Sequence, residues 1–120
     1  MYSDFDVELI YRGIVIQLEK KESIYLLTMD AEENRWNTTF VREISKALDE
    51  IENDEGPGAL ITSSTNPKFF SNGLDLDWMQ APENHPEGGD KEVFGEEFMY
   101  LMGRFITLPI PTVCAINGHA

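Results

Sequence analysis

The order of apolar runs along the chain predicts an α/β fold in which part of the sheet is parallel. Two β-rich runs occupy the first thirty residues, two later segments carry helically spaced apolar residues, and a short apolar run follows each of these segments. Strands that alternate with helices are typical of layered α/β folds. The predicted order is therefore β-β-α-β-loop-α-β.

The first two runs predict an antiparallel hairpin. Residues 13–19 (GIVIQLE) and 23–30 (SIYLLTMD) are rich in β-branched and aliphatic side chains, and the polar residues 20–22 separate them. Such a pair of runs around a short polar link is typical of a hairpin.

A helix of about fifteen residues is predicted next. Either Asn37 or Thr38 can cap its N-terminus, because both side chains accept hydrogen bonds from free N–H groups of a first turn. Residues 56–58 (GPG) end the helix, and residues 59–65 (ALITSST) predict a buried strand. The apolar face of this helix comprises Val41, Ile44, Leu48 and Ile51.

The second half of the chain predicts a loop, two helices and a last strand. Residues 66–80 contain a glycine turn followed by a short helix, and the Pro/Gly-rich residues 81–90 predict an exposed loop or mobile flap. A second long helix starts after this loop and is ended by two prolines, and residues 112–117 (TVCAIN) predict a buried strand. The apolar face of the second long helix comprises Phe94, Phe98, Leu101, Met102 and Phe105.

Composition excludes several functional classes. The chain has 120 residues and a formal net charge of -13, which disfavours binding to nucleic acid or to an anionic membrane surface. The N-terminus lacks the apolar core of a secretory signal, and the most apolar stretch, residues 105–116, is too short to span a bilayer. The lone Cys114 has no partner for a disulfide or a zinc site, and we expect no metal.

Two Asn-Gly pairs are the most informative local signal. Asn72-Gly73 and Asn117-Gly118 each follow a predicted strand. Glycine permits a positive φ and a close approach of backbone to a ligand, and the N–H groups after such a turn can receive a developing oxyanion. The two turns either converge on one ligand carbonyl or are unrelated tight turns, and spacing alone leaves both interpretations open.

The polar side chains form no convincing catalytic set. Asp75 and Asp77 are two residues apart, so they favour a helix-start charge pair over an acid/base dyad. Ser71 has no nearby histidine, His85 lies in the Pro/Gly-rich loop, and His119 has no identifiable orienting partner.

Two cations and two tryptophans have two interpretations each, and one cysteine has a single expected role. Arg35 and Lys68 precede the motif-bearing segments and either hold a phosphate-bearing ligand or are solvated surface charges. Trp36 and Trp78 either line an acyl pocket or pack in the core. Cys114, inside an apolar run, is expected to be a small core residue.

Three segments resemble the crotonase superfamily, also called the enoyl-CoA hydratase/isomerase family. Residues 68–79 (KFFSNGLDLDWM) resemble the first active-site signature, residues 110–120 (IPTVCAINGHA) resemble the lead into the second signature, and residues 33–37 (ENRWN) match the Asn-centred loop. The resemblance implies the N-terminal half of the ββα spiral fold. The first signature is most similar to that of plant and fungal Δ3-Δ2-enoyl-CoA isomerases.

The resemblance also implies the ligand and the site. Family members bind acyl-CoA thioesters as substrates, need no separate cofactor, and stabilise an enolate with two backbone N–H groups. The N–H of Leu74 corresponds to the first of these donors. The implied substrate-binding residues are Arg35, Trp36, Asn72, Gly73, Leu74, Asp75 and Leu76.

The extent of the resemblance leads to expectations about the whole protein. Residues 1–120 are expected to form a partial domain that stops before the glycine-rich segment supplying the second donor. The parent is then an isomerase or hydratase of fatty-acid oxidation and a homotrimer or hexamer, in a peroxisome, a mitochondrion or the cytoplasm, whereas the chain itself is expected to be inactive. The alternatives are a non-catalytic fragment that binds CoA weakly or pairs with other subunits, and an α/β domain unrelated to CoA.

Overall fold

The computed structural model of the chain describes residues 6–82 and 91–120, and its strands form one sheet in the chain order β1-β2-β3-β4-β5. Pairing is antiparallel from β1 to β3, and parallel from β3 to β5. This mixed sheet confirms the predicted α/β class. The strands are β1 (Val7–Arg12), β2 (Ile16–Lys21), β3 (Ile24–Met29), β4 (Ala59–Ser64) and β5 (Thr112–Cys114). The helices are α1 (Thr38–Glu52), α2 (Leu76–Gln80) and α3 (Phe94–Thr107).

The predicted hairpin is present as β2 and β3, with a register that starts at Lys21 opposite Ile24. Its strands are shifted from the predicted ranges, because Gly13 lies in the preceding turn and donates its N–H to Ile16 O at 2.8 Å. The turn itself is tight, with Glu22 in the left-handed region (φ 53°). The charged connector is therefore mostly strand.

The strand β1 was not among the predicted elements. It pairs with β2 at the edge of the sheet and contains an irregularity between Leu9 and Tyr11. An edge strand needs only one apolar face, and Leu9 is 50% exposed. Its short, mixed sequence (VELIYR) therefore gave a weak strand signal, and the pairing with β2 holds the strand in place.

Helix α1 connects the parallel strands β3 and β4 and covers one face of the sheet. Its predicted apolar face is fully buried, against sheet residues that include Leu18, Leu27 and Leu60. Asn37 is the N-cap, and its side chain accepts a hydrogen bond from Phe40 N at 2.9 Å. The crossover through α1 places the ends of β3 and β4 side by side, and the loops that follow these ends build the candidate site.

Helix α3 packs beside α1, partly as predicted. Phe94 and Leu101 are buried, while Phe98, Met102 and Phe105 are only partly buried against the core. The Arg104 guanidinium reaches α1, donating to Ser45 O at 3.1 Å and pairing with Asp49 at 2.9 Å. The predicted loop or flap before this helix lies outside the described residues from position 83 to 90.

The prediction of a buried last strand was wrong. Strand β5 has only three residues, all exposed, with Val113 57% exposed and Cys114 exposed as well. The reason is that β5 is the edge strand beyond β4, and among the described helices and strands β4 is its one extensive partner. Cys114 is therefore a surface residue of this structure and not a core residue.

Candidate active site

A short parallel bridge between two loops orients the peptide group before Leu74. Trp36 donates its N–H to Gly73 O at 2.8 Å, and Trp36 O accepts from Asp75 N at 3.0 Å. The Gly73 carbonyl and the Leu74 N–H belong to the same trans peptide and point in opposite directions. Since that carbonyl faces Trp36, the Leu74 N–H faces away from it, and no acceptor in the described residues takes its hydrogen bond.

Gly73 makes the turn that presents this N–H. Its φ is +79°, and a Cβ built there would meet nothing within 4 Å. Glycine is needed here for the left-handed conformation and not for lack of space. The surface in front of the turn is therefore open, and the neighbouring Leu74 and Leu76 side chains are 44% and 56% exposed.

Asp75 is a structural residue of this site. Its Oδ1 caps α2 by accepting from Trp78 N at 3.2 Å, and its Oδ2 accepts from Asn37 Nδ2 at 3.0 Å. The starts of α1 and α2 are thereby joined through side chains. The predicted helix-start role of Asp75 is confirmed, and Asp77 lies in the first turn of the same helix.

Asn34 is a site residue that the sequence analysis missed. Its side chain is fully buried, accepts from Ala31 N at 2.9 Å, and donates to Ser64 Oγ at 2.7 Å and Phe70 O at 3.0 Å. Its backbone is left-handed (φ 53°), a conformation that asparagine tolerates better than most residues. An asparagine in a polar loop just before the first helix was the available signal, but two of its three partners, Ser64 and Phe70, are remote in sequence.

Ser71 and Asn72 are occupied by contacts to the Asn34 loop. The Ser71 hydroxyl donates to Asn34 O at 2.8 Å and accepts from Gly73 N at 3.3 Å, so it shapes the turn. Asn72 donates its N–H to Glu33 O at 2.8 Å and its side-chain amide to Glu33 Oε1 at 3.2 Å. Both side chains thus fix the Gly73 turn against residues 33 and 34.

The two cations named from the sequence have separate partners. Arg35 pairs with Glu33 at 2.9 Å and, more loosely, with Asp77 at 3.7 Å. Lys68 places its Nζ 5.4 Å from the centre of the Phe69 ring. Of these two, Arg35 is the cation that adjoins the Trp36 bridge.

The two Asn-Gly turns are neighbours. His119 O accepts from Phe70 N at 2.7 Å and Ser71 N at 3.2 Å, and His119 N donates to Lys68 O at 3.0 Å. Gly118 has φ +118°, and a Cβ there would lie 2.3 Å from Lys68 O. The turns are therefore parts of one assembly, and His119 contributes to it through its backbone.

Both tryptophans pack against phenylalanine rings. Trp36 makes edge contacts with Phe40 and Phe98, at centroid distances of 4.8 and 5.3 Å. Trp78 is 4% exposed and packs edge-on against Phe94. The packing interpretation of the two tryptophans therefore describes this structure, and the aromatic cluster supports the bridge from the α3 side.

The strongest electrostatic cluster lies away from this site, at the opposite end of β4. The Asp54 carboxylate contacts Lys20 Nζ and the Tyr25 hydroxyl and accepts from Gly56 N at 3.0 Å. These hydrogen bonds, that from Lys20 foremost, hold the pKa of Asp54 well below its usual range. Elsewhere, burial and the nearby Glu43 raise the pKa of Tyr11. Neither group adjoins Leu74.

The described ranges contain neither a metal-binding cluster nor a helix suited to a membrane. Within residues 6–82 and 91–120, no three histidine, cysteine, aspartate or glutamate side chains are grouped to hold a metal ion. No helix in these same ranges has the length and apolarity needed to cross a membrane.

Solved structures identify the fold as that of crotonases. An enoyl-CoA hydratase/isomerase (crotonase) of Legionella pneumophila superposes with a TM-score of 0.72 at 25% identity, covering 88% of this chain and 41% of that chain. An enoyl-CoA hydratase structure from Geobacillus kaustophilus gives a TM-score of 0.76 at 18% identity, covering 94% and 41%. The described elements thus form the N-terminal part of the crotonase fold.

Sequence comparison identifies the family. Residues 19–120 match the sequence profile of the enoyl-CoA hydratase/isomerase family, and the chain belongs to that family. It is similar to the peroxisomal enoyl-CoA delta isomerase 2 of Arabidopsis thaliana, with 31% identity over 105 residues, and to the peroxisomal delta isomerase 1 of that plant, with 33% over 106. The chain spans 44% and 42% of their lengths. An α/β domain unrelated to this family is excluded.

Proposed function

We propose that this chain contributes the first oxyanion donor and part of the thioester site of an enoyl-CoA isomerase. In the proposed reaction, the Leu74 N–H polarises the thioester carbonyl of a 3-enoyl-CoA while a proton moves along the acyl chain to give the 2-enoyl product. The names of the Arabidopsis relatives support isomerase over hydratase chemistry. Two of these three names also include the word peroxisomal, which supports a peroxisomal location.

The observation that carries this proposal is the free and oriented Leu74 N–H. The flanking peptide contacts to Trp36 fix its direction, and no described acceptor competes for it. A donor that is already oriented loses little energy to reorganisation when charge develops on the carbonyl oxygen. One such donor contributes about 10²–10³ in rate.

Two described carboxylates near Leu74, those of Asp75 and Glu33, are committed to other contacts. Asp75 caps α2 and accepts from Asn37, while Glu33 binds Arg35 and Asn72. General acid–base catalysis contributes a further factor of about 10²–10⁴. We therefore expect the 120-residue chain to polarise a bound thioester without measurable isomerisation.

Infrared spectroscopy of a labelled ligand tests the donor directly. Butanoyl-CoA carrying ¹³C at the thioester carbonyl should show a lower carbonyl stretching frequency when bound, because the Leu74 N–H donates to that oxygen. Leu74→Pro removes the N–H and should abolish the shift, whereas the matched variant Leu74→Ala keeps the N–H and should retain it.

A second ligand separates loss of the donor from loss of the fold. S-butyl-CoA is a thioether without a carbonyl, and it should bind Leu74→Pro about as well as it binds the unaltered chain. An unshifted carbonyl in the unaltered chain would refute the proposal. A shift that survives in a folded Leu74→Pro variant would also refute it.

Pairing with other subunits is a second candidate function. It is favoured by apolar side chains exposed on α3 and beside β5, where Ile106 is 84% and Ile116 is 58% exposed. Monomeric proteins seldom expose large contiguous apolar patches. We infer a homotrimer or hexamer for the whole protein. Light scattering of the whole protein that shows monomers at all concentrations would exclude both oligomers.

A further inference from the structure

Arg35 directly precedes Trp36 and is therefore the cation that adjoins the Trp36 bridge. Two carboxylates contact Arg35. Its side chain is 33% exposed, and its Nη atoms pair with Glu33 and Asp77. Its Nε is buried and donates to no acceptor among the described residues. The guanidinium therefore keeps unused hydrogen-bonding capacity although it is paired on both Nη atoms.

Glu33 is firmly built into the loop assembly. Its backbone carbonyl and one carboxylate oxygen bind Asn72, and its other oxygen lies 2.9 Å from Arg35 Nη2. The residues on both sides of it, Glu32 and Asn34, have positive φ values. Glu33 therefore has three contacts to this assembly, two to Asn72 and one to Arg35.

Asp77 is held in a different way. Its side chain is 94% exposed, its carboxylate lies 3.7 Å from Arg35 Nη1, and it makes no other ion pair with a residue in the described part of the chain. An exposed pair at this distance is weak. An incoming anion can therefore displace Asp77 from Arg35 while Glu33 stays in place.

The negative net charge of the chain makes the exchange of Asp77 for a ligand phosphate at Arg35 matter for affinity. With 9 Lys and Arg residues against 22 Asp and Glu residues, the long-range field repels a ligand that carries several phosphates. Binding of such a ligand depends on local cations. At Arg35 the ligand must also compete with a carboxylate that belongs to the protein.

We propose that Asp77 is a built-in competitor for Arg35, displaced by an anionic phosphate group of the CoA portion of the ligand. Asp77 thereby lowers the affinity for phosphate-bearing thioesters and leaves the affinity for the uncharged pantetheine portion unchanged. This proposal rests on the proposed function, because it takes acyl-CoA as the ligand. Asp77 is thus a residue that sets ligand specificity through Arg35.

Calorimetric titration of two thioethers tests the proposal. S-butyl-CoA carries the nucleotide phosphates, and S-butyl-pantetheine carries none. Asp77→Asn should tighten S-butyl-CoA by about two- to fivefold, the range expected for an exposed ion pair, and leave S-butyl-pantetheine unchanged. Arg35→Gln should weaken S-butyl-CoA by about tenfold or more, and adding Asp77→Asn to it should cause no further change.

Glu50→Gln is the matched control for general charge. Glu50 is exposed on α1, so its variant reports the effect of removing one negative charge away from Arg35. Equal tightening by Asp77→Asn and Glu50→Gln would overturn the proposal, as would unchanged S-butyl-CoA affinity in Arg35→Gln. Either result leaves the proposed function standing if the carbonyl of butanoyl-CoA still shifts. Failure of both thioethers to bind would overturn the two proposals together.

Discussion

The two Asn-Gly turns use the same dipeptide for different physical reasons. At Gly73 the backbone is left-handed, but a side chain would meet nothing within 4 Å. At Gly118 the φ is +118° and a Cβ would collide with Lys68 O. The first turn faces open surface and carries the free Leu74 N–H, whereas the second turn is pressed against the chain that leads into the first.

Glycine therefore has a conformational role at Gly73, and at Gly118 it has an additional packing role. Asn72 and Asn117 differ in the same way. The Asn72 side chain binds Glu33, while the Asn117 side chain donates to Asn66 O at 3.1 Å and so ties the second turn to the loop after β4. The second turn is a support, and the first is the part that is left accessible.

The largest expected effect that tests this comparison comes from Gly118→Ala. The substitution combines an unfavourable φ with a collision against backbone, and it should break the hydrogen bonds that His119 makes to Lys68 and Phe70. We expect the free energy of local opening to fall by about 3 kcal/mol. Hydrogen exchange at the Phe70 and Ser71 amides measures this change.

Gly73→Ala is the matched comparison. Here only the left-handed backbone is penalised, at about 1 kcal/mol. Equal losses of protection in the two variants would contradict the distinction between the turns.

The next largest effect is expected at Asn34, which supports the loop from the other side. Asn34→Ala leaves Phe70 O and Ala31 N without their partners, and it keeps an unfavourable positive φ. We expect a loss of about 2–3 kcal/mol in the free energy of unfolding, measured by denaturant titration.

Asn34→Gly separates the two contributions. It removes the same hydrogen bonds but relieves the backbone, so it should be less destabilising than Asn34→Ala by about 1 kcal/mol. If glycine proves as damaging as alanine, the left-handed backbone at this position carries no cost.

The smallest effect is a pH dependence of stability from the turn after α1. Charged side chains hold this turn, whereas backbone conformation holds the two Asn-Gly turns. The pKa of Asp54 is lowered in the folded state, by Lys20 foremost. A carboxylate whose pKa is lowered in the folded state stabilises the fold at pH values above its usual pKa of about 4. This contribution is lost as the pH falls toward the folded-state pKa.

Asp54→Asn should therefore flatten the loss of stability between about pH 4 and pH 2, as measured by thermal unfolding. Hydrogen-exchange protection of the Phe70 amide should be the same with and without the Asp54→Asn substitution. A parallel loss at both places would show that the two ends of β4 are coupled.

Local pattern predicted the elements whose partners are near in sequence. The period of Val41, Ile44 and Leu48 and the Asn37 cap gave helix α1 correctly, because a helix is defined by neighbours three and four residues apart. The burial predicted for β5 failed, because burial depends on which element lies over a strand. Strand β1 was missed since its stability comes from pairing with β2.

The candidate site followed the same rule. The resemblance drew attention to Leu74 and Arg35, and the contacts between residues 33–36 and 72–77 place them on neighbouring loops. The roles of Asn34 and Glu33 were not predicted, because their side-chain hydrogen bonds to Ser64, Phe70 and Asn72 join positions 30 to 39 residues apart. The assignment of Leu74 as a donor and of Arg35, Trp36, Asn72, Gly73, Asp75 and Leu76 as ligand contacts remains a prediction.

The bridge between Phe69 and His119 has a consequence for how the molecule acquires its shape. Its two residues are about 50 positions apart, whereas the hairpin of β2 and β3 closes over a two-residue turn. Closing a long loop costs entropy that only later contacts repay. On a ribosome, the hairpin can form as soon as it emerges, but the Phe69 loop gains this partner only after His119 has been synthesised.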